Sequence, residues 1–435
     1  MPASIAKWWR RPGSRVPRIL SQADDNFIFV PAARIVPGPM WNPQTMELMP
    51  GFWPARPNAV WGVLLEPLRK FYLHRFYQIS EVALEGDWPA QVAADDGLLI
   101  APNHSHDADP HVMMEIGHRL HRQLYFMAAW QVFRMHGGID GWVMQRFGAF
   151  SVDREGCDRR AMKHAIELLT TGQSLVVFPE GEIYHTNERL TPLREGVAFM
   201  AVSAQRDFDK AQAGRRVWVL PTAISYRYET DILPQLEATL AMLESRVLLR
   251  PAPGATLAQR IVAFGEVMLT IKEKEQLGHP MEGDLPTRLH RLIQHILSRH
   301  ENQELNEVRA DGDVSVRVKS LRRHLLEKMC DEKLDDATRT KAHDALADMH
   351  LVLQLYSYPG DYVATKPTVE RMAETIDKFE EDLLGVMAKP KGPRRASVRF
   401  GEPIEVRSFT SSRPRVAATE LTARLERAIR ELMQR

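Results

Sequence analysis

Cysteine is nearly absent. Two residues in 435, Cys157 and Cys330, are too few for a disulfide framework or a zinc ribbon, so a reducing compartment is the expected setting. Net charge is nearly absent too: 57 Lys and Arg face 56 Asp and Glu, a balance of +1. That argues against a nucleic-acid partner held by bulk charge, though not against a local basic patch. Long apolar runs are missing. The longest early one, residues 60–65, stops at Glu66, far short of the roughly 18 residues a membrane span needs. The opening MPASIAKWWRRPGSRVPRIL is basic but has no apolar stretch, so it does not read as an export signal. The expectation is a cytoplasmic protein that associates peripherally with a membrane and does not cross it.

What is present is a globular composition, 44% hydrophobic and 26% charged, in four stretches. Residues 1–79 form a basic, Trp- and Pro-rich arm, with ten Lys and Arg against four acids over the first eighty positions. Prolines crowd residues 31–57, which predicts irregular chain there. Trp8, Trp9, Trp41, Trp53 and Trp61 alternate with these bases. Such a mixture suits a membrane interface, with residues 1–20 as the expected anchor. It equally suits an arm that packs its tryptophans on the main domain.

Residues 80–254 read as an α/β core. Apolar runs at 98–101, 125–129, 147–152, 174–178 and 217–225 predict buried strands. Helical segments at 111–122, 132–146, 158–171 and 196–206 lie between them. This alternation predicts an α/β fold with a mostly parallel sheet flanked by helices. Residues 255–388 repeat apolar positions at helical spacing, for example Leu285, Leu289, Leu292, Ile293 and Ile296, and read as a mostly helical insertion. After a basic linker at 389–395, residues 389–435 supply a return strand at 397–400 and a final helix over 417–433.

The sharpest chemical signal is APNHSHDADP, residues 101–110, directly after a strand. His104 and Asp109 stand where a loop curling into a helix can bring carboxylate onto imidazole. A His held this way has a fixed tautomer, as a general base needs. The blander reading is an ordinary helix start, Asp109 as N-cap with Pro110 following. A metal site is the third: His104-x-His106-x-x-Asp109 is rich in ligand types, but the spacing departs from His-x-His-x-Asp-His and no downstream ligand pair completes it, so no metal is expected. Three further signals follow. The run VVFPEGEIY, residues 176–184, ends a strand in Phe178-Pro179-Glu180-Gly181; GAFSVDR, residues 148–154, sets Arg154 beyond another; Val219-Leu220-Pro221 opens the next. Each has a plain structural counterpart, a strand-ending turn or a solvated surface Arg. Arg is nevertheless the best bidentate phosphate ligand.

In order and spacing these four blocks resemble the glycerolipid acyltransferase family typified by lysophosphatidic-acid acyltransferases: Asn-His-x4-Asp, Gly-x5-Arg, Phe-Pro-Glu-Gly, then a Pro-containing strand. The resemblance covers about residues 80–226, plus the return strand, and is silent on the arm and the helical insertion. It implies a glycerol-3-phosphate acyltransferase-like fold. It also implies an O-acyltransferase moving a fatty acyl group from acyl-CoA or acyl carrier protein to a hydroxyl of a lysophospholipid or glycerol-phosphate-like acceptor, in phospholipid synthesis. By resemblance His104 is the general base and Asp109 its orienting group. Arg154, Glu180 and Gly181 seat the phosphate-bearing acceptor, and Pro221 shapes the wall near the acyl chain. The acyl thioester is a co-substrate, and no bound cofactor is implied. Partners are the acyl thioester donor, the lysophospholipid-like acceptor and a membrane surface. One departure stands out: where many relatives continue Thr-Arg-Ser, this chain has Glu182-Ile183-Tyr184, with Arg189 and Arg194 downstream. An acceptor without phosphate, or a non-catalytic lipid-binding protein on the same fold, are the alternatives.

Overall fold

The computed structural model describes residues 51–156, 158–309, 312–331 and 334–434. Eight strands form one sheet: β1 (Ile79–Glu85), β2 (Gly97–Pro102), β3 (Leu124–Ala129), β4 (Ala149–Val152), β5 (Ser174–Val176), β6 (Val217–Tyr228), β7 (Arg394–Phe400) and β8 (Ile404–Glu405). Their order is β1-β7-β6-β2-β5-β3-β4, with β8 beside β6. Among these pairs β6 meets β7 and β8 antiparallel and every other pairing is parallel. The fold is therefore α/β with a mostly parallel sheet flanked by helices.

The helices in chain order are α1 (Ala59–Lys70), α2 (Asp109–Arg119), α3 (Ile139–Arg146), α4 (Arg159–Thr170), α5 (Gly196–Lys210) and α6 (Leu233–Arg246). They continue as α7 (Leu257–Leu277), α8 (Leu285–His300), α9 (Val314–Met329), α10 (Asp336–Tyr356), α11 (Tyr362–Thr365), α12 (Val369–Leu384) and α13 (Pro414–Gln434). Successive strand residues face opposite ways. In β2, Leu99 and Ala101 join the apolar layer with Ala165 and Leu169 of α4, Ala201 of α5 and Leu425 of α13. Leu98 and Ile100 join the other layer with Val112, Met113 and Ile116 of α2. Both faces are covered, so the strands read as unbroken apolar runs.

Several expectations shift. One helix was expected over 132–146. Instead a 3₁₀ segment, Trp130–Gly138, gives way to α3, because His136, Gly137 and Gly138 take positive φ (47°, 71° and 92°). Two glycines and a left-handed residue break the helix there. The return strand starts at Arg394, inside the stretch read as linker. β1, α1 and α6 were not anticipated. Trp53 stacks on Phe133 at 5.9 Å between ring centres, and Trp61 meets Trp142 edge-on at 4.8 Å. Trp8, Trp9, Trp41 and the expected anchor at 1–20 lie outside the described residues. Among the described residues no helix is long and apolar enough to cross a membrane.

From α7 to α12 the chain is all helical apart from short connections. Two apolar clusters hold it: one joins α8, α9 and α10 through Leu292, Leu321 and Leu346, the other joins α6, α7 and α12 through Leu240, Phe264 and Ile376.

Candidate functional site

The polar motifs converge at the carboxyl ends of parallel strands, where α/β sheets collect their sites. His104 follows β2, Phe178 and Glu180 follow β5, Arg154 follows β4, and Tyr226 lies near the end of β6. The loop after β2 is anchored by Asn103, whose side chain bonds both the N–H and the C=O of Ile224 (2.7 and 3.0 Å). It thereby extends the β2–β6 pairing by one side chain.

Asp109 is fully buried and organises this loop. It is the first residue of α2, with Ala108 at the cap position, so the expected N-cap is displaced by one. Its carboxylate reaches backward. Oδ2 accepts from His104 Nδ1 (2.9 Å) and from the backbone N–H groups of Ser105 (2.9 Å) and His106 (3.0 Å). Oδ1 accepts from the Tyr226 hydroxyl (2.5 Å). Because a carboxylate only accepts, Nδ1 of His104 carries the proton, and Nε2 keeps a lone pair with no hydrogen-bond partner among the described residues. The ring is stacked on Phe178, centres 4.0 Å apart, which fixes its plane.

His106 is not a second base. Burial, then the charge of Arg394, holds its imidazole well below the ordinary range, and Nδ1 accepts from the Ala108 N–H (2.9 Å). His104 and His106 serve separate contacts, and among the described residues no group of three or more His, Cys, Asp and Glu side chains gathers as a metal would require.

Glu180, expected at the acceptor, is instead buried and taken up by the protein. It accepts from the His104 N–H (2.7 Å), the Thr191 N–H (2.9 Å) and the Thr191 hydroxyl. Burial pushes its carboxyl up against the pull of these donors. It braces the His104 backbone against the Phe-Pro-Glu-Gly turn. Gly181 has φ +76°, which favours glycine, and a Cβ there would displace the Arg194 side chain. Pro221 is buried in β6 where the neighbouring strand changes from β8 to β7; its C=O accepts from the Gly401 N–H (2.8 Å). Its missing N–H therefore falls at a break in the pairing, as Pro in a strand requires.

Arg154 donates to the Gly181 carbonyl (3.0 Å) and to Glu182 (2.8 Å), and Arg194 stands 4.0 Å from Glu182. Burial alone would raise the Glu182 carboxyl. The guanidinium groups of Arg154, Arg322 and Arg194 outweigh it and hold Glu182 below the usual range. Arg322 comes from α9 and pairs with Glu155 at 2.7 Å. These residues and Lys319 line a small cavity of about 220 Å³, partly open, in which four cations face two carboxylates. Nε of Arg154 and of Arg194 is buried there without a hydrogen-bond partner.

The model of the Acyltransferase family matches residues 84–225. That segment is an acyltransferase-family domain. Among curated proteins none matches the chain. The acyltransferase domain contains His104, Asp109, Arg154, Glu180, Gly181 and Pro221. Tyr226 lies one residue beyond it, and Lys319 and Arg322 belong to α9, well outside. Sequence reasoning missed all three. For Tyr226 a signal existed: the two-residue period of β6 puts it in the same apolar layer as Leu220 and Ile224, where a hydroxyl must find a partner.

Proposed function

We propose that this acyltransferase moves a fatty acyl group from an acyl thioester, carried by CoA or acyl carrier protein, to a hydroxyl of a lysophospholipid or glycerol-phosphate-like acceptor in glycerolipid synthesis. The observation that carries the reading is the imidazole of His104, protonated at Nδ1 by its bond to buried Asp109 and open at Nε2. Nε2 takes the acceptor's hydroxyl proton as its oxygen attacks the thioester carbonyl. The tetrahedral oxyanion collapses, the C–S bond breaks, and the departing thiolate takes the proton back from the imidazolium. Ester and free thiol result, with no covalent acyl-enzyme. Asp109 offsets the imidazolium charge while it exists. Thiol release from palmitoyl-CoA against a panel of hydroxyl acceptors tests the reading; release that no acceptor stimulates overturns it.

The cation surplus around Arg154 supports an acceptor bearing phosphate, and Glu182 sets how much of that surplus is available. Arg154→Ala is expected to raise the acceptor KM at least tenfold with little change in the donor KM, and Arg154→Lys to restore it only in part. Glu182→Gln frees Arg154 and should lower the KM of a phosphate acceptor. An equal rise in both KM values for Arg154→Ala would place Arg154 at the donor instead.

Such substrates partition into lipid, and the membrane reading gains support from α1. Val60, Val63, Leu64, Leu68 and then Phe71 are 67, 74, 62, 42 and 55% exposed, with Lys70 and Arg75 alongside. An apolar stripe with flanking cations suits the plane of a bilayer interface. The double substitution Val63→Asp, Leu64→Asp should reduce co-sedimentation with anionic liposomes severalfold. Full co-sedimentation of that variant, lost on deleting residues 1–20, would move the anchor to the basic arm.

A further inference from the structure

A cavity lies between the helical segment and the loop after Phe-Pro-Glu-Gly. Its empty volume, counted out to the solvent it opens on, is about 900 Å³. Its walls from α7, α8 and α10 are Leu269, Leu285, Leu289, Leu351 and Leu355. These belong to, or pack on, the apolar cluster that holds the segment together. Its wall toward the acyltransferase domain is different in kind: His185 and Thr186, from the loop after Phe-Pro-Glu-Gly, with Lys378 of α12. The Lys378 ammonium donates to the carbonyls of Tyr184 (3.1 Å) and Ser357 (2.5 Å) and lies over the Tyr358 ring, and Asp382 lines the same cavity. Lys272 of α7, Gln354 of α10 and Asp382 of α12 add polar groups on its other sides. Two residues on from His185, Asn187 bonds both main-chain groups of Tyr226 (3.0 Å each), whose hydroxyl meets Asp109, so this loop adjoins the candidate site.

A mostly apolar chamber that meets the loop beside the candidate site fits a long alkyl chain with a polar reacting end. We propose that the cavity receives the fatty acyl chain while its carbonyl lies at His104, so that the helical segment sets chain length. The proposal rests on the acyl-transfer reading above, but its location does not, since every wall except His185 and Thr186 comes from residues after 225.

Val262 and Gly265 of α7 both line the cavity, and a Cβ at Gly265 would make only ordinary contacts, 3.4 Å to Phe379 and 3.8 Å to Leu285. Val262→Phe and Gly265→Leu therefore fill it by two independent routes. Two measurements on the full chain decide the matter: palmitate affinity by titration calorimetry, and turnover of 16-carbon against 8-carbon acyl thioesters. Each variant that keeps the wild-type circular dichroism should lose at least tenfold in palmitate affinity. Its 16-to-8-carbon turnover ratio should fall at least tenfold, with 8-carbon turnover retained. Absence of palmitate binding in the wild type, or wild-type affinity and ratio in both folded variants, overturns the proposal. If the wild type turns over no thioester with any acceptor, the acyl-transfer reading fails. Palmitate affinity then decides the cavity alone, and its loss in both variants sustains a lipid-chain site.

Discussion

His104→Ala is expected to lower acyl transfer by about 10²- to 10⁴-fold, the usual cost of removing a general base. The folded state should survive. The contact that ties residue 104 to the Phe-Pro-Glu-Gly turn is a backbone N–H to Glu180, which alanine keeps. What disappears is the ring, one partner of Asp109 and the cover over Phe178. The comparison is thiol release by wild type and variant under saturating donor and acceptor, with thermal unfolding run alongside. Near-wild-type turnover in a folded His104→Ala protein would remove the proposed mechanism.

Asp109→Asn separates charge from geometry. The amide oxygen can occupy the Oδ2 position and accept from His104, Ser105 and His106, while the amide NH₂ takes the Oδ1 position. There the Tyr226 hydroxyl can turn from donor to acceptor, so the contact survives with its direction reversed. The imidazolium then loses only its countercharge. We expect kcat to fall by roughly 10²- to 10⁴-fold with the melting temperature nearly unchanged. Tyr226→Phe should do the reverse: it strips a buried carboxylate oxygen of its donor, costing about 1–3 kcal/mol of stability, while the His104–Asp109 bond stays. If Asp109→Asn turns over at the wild-type rate, the carboxylate serves the loop and not the reaction.

What was legible in the sequence was what is local. His104 and Asp109 are five positions apart on one loop, so their pairing needs only that loop to curl. The inner strands were legible because both faces are covered, leaving near-continuous apolar runs such as Leu98–Ala101 in β2. β1 was not, because it is an edge strand whose Ser80 and Glu81 face water. α6 carries Leu236, Leu240 and Leu243 at helical spacing and was passed over, though that signal was present. Long-range partners left no trace. Tyr226 meets Asp109 across 117 positions. Arg322 reaches Glu155 from a helix that no motif connects to the site. Glu180 illustrates the limit: its place in the motif was legible, yet only its burial and its bonds to His104 and Thr191 show that it faces the protein.

The position of β7 bears on how this protein is made. In the sheet it lies between β1 and β6, although Ser80 and Arg394, which it brings into contact, are 314 positions apart. On a ribosome β1 leaves the tunnel early and waits for its neighbour through the synthesis of both intervening regions. β6 meanwhile keeps one bare edge, since β7 and β8 both follow the helical segment. An unpaired strand edge is a template for wrong partners, and pairing across so long a loop is slow. The nascent chain thus emerges with the loop that carries His104 and Asp109 already made but its sheet unclosed. Its dependence on chaperones should last until β7 has emerged, and a message truncated ahead of residue 394 would yield an aggregating product instead of a smaller enzyme.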